Sequence, residues 1–189
     1  MVSQTKIAVI GLLLLCGLTI ACSQGKKGIA TVSVDAEVLP TVHGEEISSL
    51  ISDSGVTRYR LVTKQWDIFS NDTNPHWYFP KGVYVEKFDS LFQVDGSIKA
   101  DTAYFFEKTE LWQLIGNVSI TNLNGLRFET SELFWRQKEP AWSLNAIYTD
   151  SLVSIFTNSG VSVSQGIRAN QSMTQYHLYN HSYESYSEE

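Results

Sequence analysis

The chain has 189 residues, enough for one ordinary domain behind an N-terminal addressing segment, and a net charge of −6. Because Lys and Arg are outnumbered by acidic residues, no basic face is expected to neutralise phosphates, which argues against nucleic-acid binding. Aromatic residues are plentiful, with 5 Trp, 9 Tyr and 9 Phe, whereas apolar residues at helical spacing are scarce after residue 50. The composition and patterning therefore predict an all-β domain.

Residues 1–22 have the pattern of an export signal. Lys6 supplies a positive charge, and the stretch 7–21 is nearly all apolar but shorter than the roughly 20 residues that span a bilayer comfortably. The stretch closes at Cys22, as in a lipoprotein cleavage box, although Thr19 stands where Leu is preferred. We predict cleavage and lipid attachment at Cys22, with an uncleaved membrane anchor as the alternative.

The positions of the cysteines leave the exported domain without a disulfide. Cys16 lies inside the apolar stretch and Cys22 at its end, so the domain must be held together by its own core. The weakly patterned segment 23–46 is predicted as a linker, 47–180 as the domain and 181–189 as a polar tail.

Alternation of apolar and polar residues with period 2 predicts strands from the start of the domain. The predicted elements of its first part are a turn at 52–55, one bent strand or a strand pair over 56–69, a loop at 71–75, strands over 83–89 and 91–94, and a turn at Asp95-Gly96. The loop is rich in Asn and Asp and ends in Pro, which favour turns and interrupt a strand ladder.

The middle of the domain carries the clearest pattern. The blocks 98–104, 111–120 and 128–135 each alternate, and Asn124-Gly125 supplies the turn into the third block. One face of the second block carries Trp112, Leu114, Val118 and Ile120. This is the pattern of a half-buried strand.

A weak repeat of the form apolar, any, small, polar, any, apolar begins at Ile98, Phe128 and Ile167. The copies start 30 and 39 residues apart, which is too short for a βαβ unit and suits stacked layers of short antiparallel strands. Strands beyond the third block are predicted over 142–147, 152–156, 161–163 and 173–179.

Residue types with catalytic or metal-binding chemistry form no recognisable site. Four histidines have no partners at metal-ligand spacing: His43, His76, His177 and His181. Asp95 is assigned to a turn and Asp101 to the polar face of a strand, so these residues and Glu107 do not predict an acid–base pair. The chain has no nucleophile elbow, phosphate-binding loop or dinucleotide fingerprint. We therefore predict no enzymatic activity, no metal site and no cofactor.

Several segments, taken in order, resemble the LptC family of the lipopolysaccharide-export ABC transporter. The resemblance extends over about 47–180, and the segments that carry it are 52–60, 77–89, 98–104 and 111–118. The late residues that resemble the repeat shared with soluble bridge proteins of the LptA type are Ala169, Asn170, Met173 and Tyr176.

The resemblance implies a twisted antiparallel β-jelly-roll, or β-taco, whose two sheets form a V around an apolar groove. In the family this groove receives the acyl chains of lipopolysaccharide, and the domain is anchored at the periplasmic face of the inner membrane. The chain departs from the family in its lipoprotein-like signal and in the aromatic content of 77–89. The apolar positions assigned to the groove lining are Tyr59, Leu61, Val83, Val85, Ile98, Trp112, Leu114, Val118, Ile120, Phe128, Leu133, Trp135, Val153 and Ile155.

The resemblance also implies protein partners. The permease subunits of the transporter would contact the N-terminal edge near 56–61, and a bridge protein of the LptA type would add to the final strand, 173–179, by β-strand addition. Two alternatives stay open. One is an envelope lipoprotein that binds a partner but no lipid, and the other is a jelly-roll enzyme, which would need a convergent polar triad that the sequence does not offer.

Overall fold

The computed structural model describes residues 39–53 and 55–185, and in these ranges the chain forms strands and turns but no helix. The strands are β1 (Val42–Asp53), β2 (Val56–Phe69), β3 (His76–Phe79), β4 (Val83–Phe88), β5 (Val94–Ala100), β6 (Thr102–Phe106), β7 (Leu111–Thr121), β8 (Arg127–Arg136), β9 (Ile147–Phe156), β10 (Gly160–Ala169), β11 (Tyr176–Leu178) and β12 (Ser182–Ser185). Every strand pairing is antiparallel, which confirms the predicted all-β antiparallel class.

The strands follow one another as a meander across a single sheet of 12 strands. The consecutive strands β3 and β4 lie end to end along β2, and β5 and β6 lie end to end beside them. β7, β8, β9 and β10 then follow in order, and β11 and β12 lie end to end along β10. The hydrogen-bond ladder thus joins in one sheet the strands for which the resemblance implied two sheets.

A crease crosses this sheet where strands are interrupted or change register. At this line β3 is separated from β4 and β5 from β6, and the pairings β7–β8, β8–β9 and β9–β10 each shift register. Residues with positive φ lie along it, namely Gly82 (φ 88), Gly116 (φ 77), Asn117 (φ 44), Gly166 (φ 97) and Asn180 (φ 46). Because an extra residue bends a strand and increases its local twist, bulges aligned across several strands fold the whole sheet.

The crease divides the sheet into two halves that face each other. The β4–β5 half contains β4, β5 and β12, the β3–β6 half contains β3, β6 and β11, and β2 and β7 to β10 run through both. Tyr59 of the first half meets Trp135 of the second edge to face, with 5.9 Å between ring centroids, and Phe128 meets Tyr176 at 5.4 Å. Since three strands separate Tyr59 from Trp135 in sheet order, these contacts require a folded sheet.

The register shifts also decide which residues point into the fold. Within each half of a strand, buried residues alternate with exposed or half-buried ones, as the period-2 pattern predicts. Across the crease this parity changes: Phe128 and Leu133 of β8 are five positions apart, yet both are buried. The register shift between β8 and β9, at which the extra residue belongs to β9, falls between Phe128 and Leu133, so the parity of β8 changes where the sheet is creased.

The first and last strands lie in segments that the sequence analysis assigned to the linker and the tail. β1 begins at Val42, inside 23–46, and β12 lies inside 181–189. Both are edge strands held by backbone pairing to one neighbour, and two apolar side chains of β1, Val42 and Leu50, are exposed. An edge strand with so little core contact carries only a weak apolar alternation, which explains why the sequence pattern did not indicate these two strands.

The turn between β4 and β5 lies earlier than predicted. Asp89 Oδ1 accepts hydrogen bonds from the N–H groups of Leu91 and Gln93, both at 2.8 Å, and this carboxylate closes the turn. Asp95 and Gly96, where the turn was predicted, are strand residues of β5 instead.

Three predicted strands are wrong or too long for similar reasons. Residues 91–93 of the predicted strand 91–94 lie in the turn before β5. Of the predicted strand 142–147, residues 142–146 form a turn in which Ser143 N–H donates to the carbonyl oxygen of Pro140 at 2.8 Å, and Ile147 begins β9. The strand over 173–179 shortens to β11, because Met173 has a φ of 56 and lies in the preceding turn.

Candidate functional site

The positions predicted to line a groove lie together in one interior cluster between the two halves of the sheet. All of them are buried except Tyr59 and Ile98, which are partly buried and pack against the cluster. The structure therefore brings together in space a set of residues chosen from strand alternation alone.

An aromatic wall lines the β3–β6 half of this interior. Its ring centroids lie 4.8 to 6.5 Å apart in a continuous series of contacts. The residues of the wall are Trp66, Trp77, Phe79, Phe105, Trp112 and Trp135. Four residues of the wall were not among the predicted lining residues: Trp66, Trp77, Phe79 and Phe105. In β6, Ala103 and Phe105 are buried and Tyr104 between them is not. This period-2 alternation in the sequence could have identified Phe105 as an inward residue.

Three indole N–H groups of the interior are buried without a hydrogen-bond partner among the described residues: those of Trp66, Trp112 and Trp135. Trp77 differs, because its Nε1 donates to Glu107 Oε1 at 2.6 Å. A buried donor without an acceptor costs about 1–3 kcal/mol. The wall thus offers unused donors to an oxygen-bearing occupant in an otherwise apolar interior.

Two small cavities lie between the halves. The first, of about 40 Å³, is lined by Tyr59, Val85, Ile98, Ile120, Trp135 and Met173 among others. The second, of about 70 Å³, lies against Leu61, Trp77 and Trp112 and shares Tyr59 and Trp135 with the first. One water molecule needs about 10–15 Å³ of such volume, so the two cavities have room for a few water molecules but not for an acyl chain. In this conformation a chain can enter only if the halves move apart.

The first cavity ends at a polar mouth, where the strand ends of one half meet a turn of the other. We define the mouth by Lys87, Asp95, Asn122, Gln171 and Ser172, which all line the cavity. Asn122 Nδ2 donates to the carbonyl oxygen of Met173 at 2.9 Å and so joins the two halves. The same turn is tied down when the Gln171 amide donates to the carbonyl oxygens of Gln137 and Glu139.

Exposed apolar side chains surround the mouth at the strand tips. Leu91 and Trp142 are each 76% exposed, and Leu123 is 63% exposed. Leu91 lies in the turn between β4 and β5, Leu123 in the turn between β7 and β8, and Trp142 between β8 and β9. These three side chains lie in separate turns, and single exposed apolar residues are normal on a protein surface.

The residues considered for catalysis are tied into local contacts instead. Asp95 Oδ2 pairs with Lys87 Nζ at 3.2 Å, and Asp101 Oδ2 accepts from Asn117 Nδ2 at 2.6 Å. Glu107 is the acceptor of the Trp77 indole. In the ranges that the structure describes, no group of three or more His, Cys, Asp or Glu residues could hold a metal ion.

Two tyrosines with shifted pKa values lie outside the interior cluster. Burial raises the pKa of Tyr84, and the adjacent Glu86 carboxylate acts in the same direction. Burial likewise raises the pKa of Tyr104, reinforced by its hydrogen bond to Tyr78. Both hydroxyls therefore stay protonated at neutral pH, and they add no charge to the sheet.

The comparison with known families gives the chain its assignment. The sequence model of a family described as "Lipopolysaccharide-assembly, LptC-related" matches residues 8–187. No curated protein matches the chain significantly. Cys22 and the rest of the predicted signal lie outside the described residues, and within those residues no helix is long and apolar enough to cross a membrane. Because the family match covers nearly the whole sequence, the chain belongs to the LptC family of lipopolysaccharide-assembly proteins.

Proposed function

We propose that this protein relays lipopolysaccharide by holding its acyl chains between the two halves of the folded sheet. The observation that carries the proposal is the apolar interior, lined by the aromatic wall and the buried strand residues, which reaches the surface at the mouth. In this role the folded sheet acts as the V-shaped jelly roll of its family, and it transfers lipid without catalysis.

The energetic requirement is a continuous path that keeps the chains out of water. Each CH₂ group removed from water is worth about 0.8 kcal/mol, so a chain exposed between two carriers would be trapped in the first one. The carriers must therefore meet with their interiors aligned. ATP hydrolysis by the inner-membrane transporter would supply the energy, and this chain would supply the path.

Loading requires the mouth to open. In the closed conformation the Asn122–Met173 hydrogen bond spans it, and Met173 is buried among the core residues. That bond contributes about 0.5–1.5 kcal/mol net, but opening also separates apolar contacts between the halves, such as Tyr59 with Trp135. Incoming acyl chains must therefore cover the apolar side chains that opening exposes.

A fluorescence titration tests this function. Trp112 and Trp135 line the cavities, so lipopolysaccharide should change their emission in a saturable way, whereas an envelope module with a permanently closed core should show no change. The measurement is best made on a Trp142→Phe variant, because the exposed indole of Trp142 would respond to any nearby lipid aggregate. An unchanged spectrum at saturating lipid would contradict lipid binding in the interior.

We propose further that the domain is tethered to the periplasmic face of the inner membrane through a lipid on Cys22, with residues after it as a spacer. The support is the short apolar stretch that closes at this cysteine. The proposed order is residues 1–22 as the signal, a linker within 23–46 and the folded domain after it. The permease subunits of the transporter would contact the N-terminal edge.

The structure refines where that edge lies. β1 forms it outside β2, so the contact proposed near 56–61 would have to involve β1 as well. The opposite edge is formed by β11 and β12, and we propose that a bridge protein of the LptA type adds a strand there.

Removing β12 is expected to weaken binding of the bridge protein. A chain that ends after Asn180 loses half of the C-terminal edge but keeps Met173, which is 2% exposed and belongs to the core. We expect affinity for the bridge protein to fall at least about tenfold, because several backbone hydrogen bonds of the added strand are lost. A chain that ends after Ser185 keeps β12 and is the matched control. Equal affinities of the two truncated chains, measured by calorimetry, would show that the partner docks elsewhere.

A further inference from the structure

A pair of opposite charges faces the interior at the mouth. Lys87 is the last inward residue of β4 after Val83 and Val85, and its Nζ lies 3.2 Å from Oδ2 of Asp95. Both side chains line the first cavity together with apolar residues of both halves. Among the residues that line this cavity, Lys87 is the one cation.

Asp95 owes its position to an irregularity of β5. In the pairing of β4 with β5, Lys87 is opposite Gly96 and Phe88 is opposite Val94, so Asp95 is the extra residue of a bulge. Its Oδ2 holds Lys87, while its Oδ1 is buried without a hydrogen-bond partner in the described part of the chain. A bulge beside a site commonly re-aims a side chain, and here it places a carboxylate on the cavity side.

The neighbouring ion pair on the other face of the same strand is built differently. Glu86, next to Lys87, lines neither interior cavity and pairs with Arg60 of β2 at 2.6 Å across the sheet. Both pairs join adjacent strands, but the Arg60–Glu86 pair lies outside the interior, whereas Lys87 and Asp95 line the first cavity. The Lys87 side chain is 37% exposed, while Asp95 is 16% exposed. An ammonium group has three N–H donors, so Lys87 can take a further anionic partner from the solvent side while it stays beside Asp95.

We propose that Lys87 binds the phosphate of an amphiphile headgroup at the mouth, while the acyl chains of that amphiphile enter the cavity behind it. The proposal deepens the proposed function and rests on it. The apolar cavity fits acyl chains, and the single ammonium group of Lys87 fits an anionic headgroup. Because cavity and ammonium lie one strand end apart, they suit a molecule that carries both kinds of group. Asp95 neutralises Lys87 while the site is empty and holds the ammonium group at the mouth, where phosphate can reach it.

The test compares two lipids with the same acyl chains, lipid A with its phosphates and dephosphorylated lipid A. Binding is followed by tryptophan emission in the full-length protein, and the ratio of the two affinities is the phosphate preference. The wild type is expected to prefer the phosphorylated form about tenfold, as a charge-assisted hydrogen bond implies. Lys87→Gln should bring the ratio close to one by weakening only the phosphorylated lipid.

Asp95→Asn and Arg60→Gln give the proposal a directional signature. Asp95→Asn frees Lys87 from its partner and removes a negative charge, so the phosphate preference should rise about threefold. Arg60→Gln also removes one cation from an ion pair of the neighbouring strand, but on the outer face, and should leave the preference unchanged. A lysine with only a structural role would not make Lys87→Gln and Asp95→Asn act in opposite directions.

Each possible result of these binding measurements supports or contradicts the headgroup site. A full phosphate preference in Lys87→Gln, or an unchanged preference in Asp95→Asn, would overturn the headgroup site while leaving lipid binding intact. If inorganic phosphate alone, at the same concentrations, removed the preference, the site would be one for free anions and the headgroup assignment would be wrong. If the wild type bound neither lipid, the proposed function would fall together with this inference.

Discussion

Replacing Val118 by Asp is expected to unfold the domain or leave it barely folded. Val118 lies in β7 at 1% exposure, in the middle of the interior cluster. A carboxylate there would be buried without a cation or a set of donors, and such substitutions cost more than about 4 kcal/mol. Since whole domains have only about 5–15 kcal/mol of stability, most of it would be lost.

The neighbouring position on the same strand provides the control. Ser119 is half-buried, lies on the opposite face of β7 and is cross-strand to Lys99, so Ser119→Asp should change the free energy of unfolding by less than about 1 kcal/mol. Urea denaturation followed by circular dichroism compares the two variants. Similar stabilities would mean that the faces of β7 have been assigned incorrectly.

Replacing Gly166 by Ala is expected to destabilise the crease. The residue has a φ of 97, and an added Cβ would lie 2.9 Å from the carbonyl oxygen of Thr149 and 3.4 Å from Cα of Asp150. A non-glycine residue held in such a conformation costs about 1–3 kcal/mol. The contact with backbone atoms of β9 adds to this cost, because backbone cannot rotate away as a flexible side chain can.

Gly125→Ala isolates the two contributions. Gly125 has a φ of 75 in the turn between β7 and β8, but a Cβ there would have nothing within 4 Å. This variant therefore bears the conformational cost without the contact, and Gly166→Ala should be the less stable of the two. The comparison uses the free energy of unfolding in urea. Equal losses would show that the crease tolerates a side chain at Gly166.

The period-2 pattern predicted the interior because strand alternation is local. β7 points the predicted residues inward, namely Trp112, Leu114, Val118 and Ile120. The register shift at Gly116 and Asn117 leaves an even spacing between Leu114 and Val118, so their parity is unchanged. In β8 the same rule would fail if applied across the crease. Alternation from Phe128 would have put Leu133 on the outer face, but the parity of β8 changes at the crease and Leu133 is buried.

The parts that the sequence did not predict depend on tertiary pairing. β1 and β12 are edge strands whose order comes from a neighbouring strand, so their own residues carry little apolar alternation. Phe79 stands directly before Pro80 and resembles the end of a loop, yet it is fully buried against Trp66 and Trp112. No local sequence pattern predicts a packing contact of this kind.

The sequence could not predict the cavity volumes either, and these volumes change the proposed mechanism. The predicted groove is open. The interior of the structure is instead filled by its own aromatic side chains, and the two cavities left in it measure only about 40 and 70 Å³. The account therefore requires the sheet to open along its crease. The side chains that line the closed state would then become the surface on which acyl chains lie.

Photo-crosslinking from two adjacent residues tests most directly whether acyl chains enter this interior. Ile98 of β5 lines the first cavity and is only partly buried, so it can accept a photoreactive side chain, and Lys99 next to it lies on the outer face. With lipopolysaccharide present, the account predicts strong crosslinking from position 98 and little from position 99. Equal crosslinking from both positions, or crosslinking from 99 alone, would contradict it.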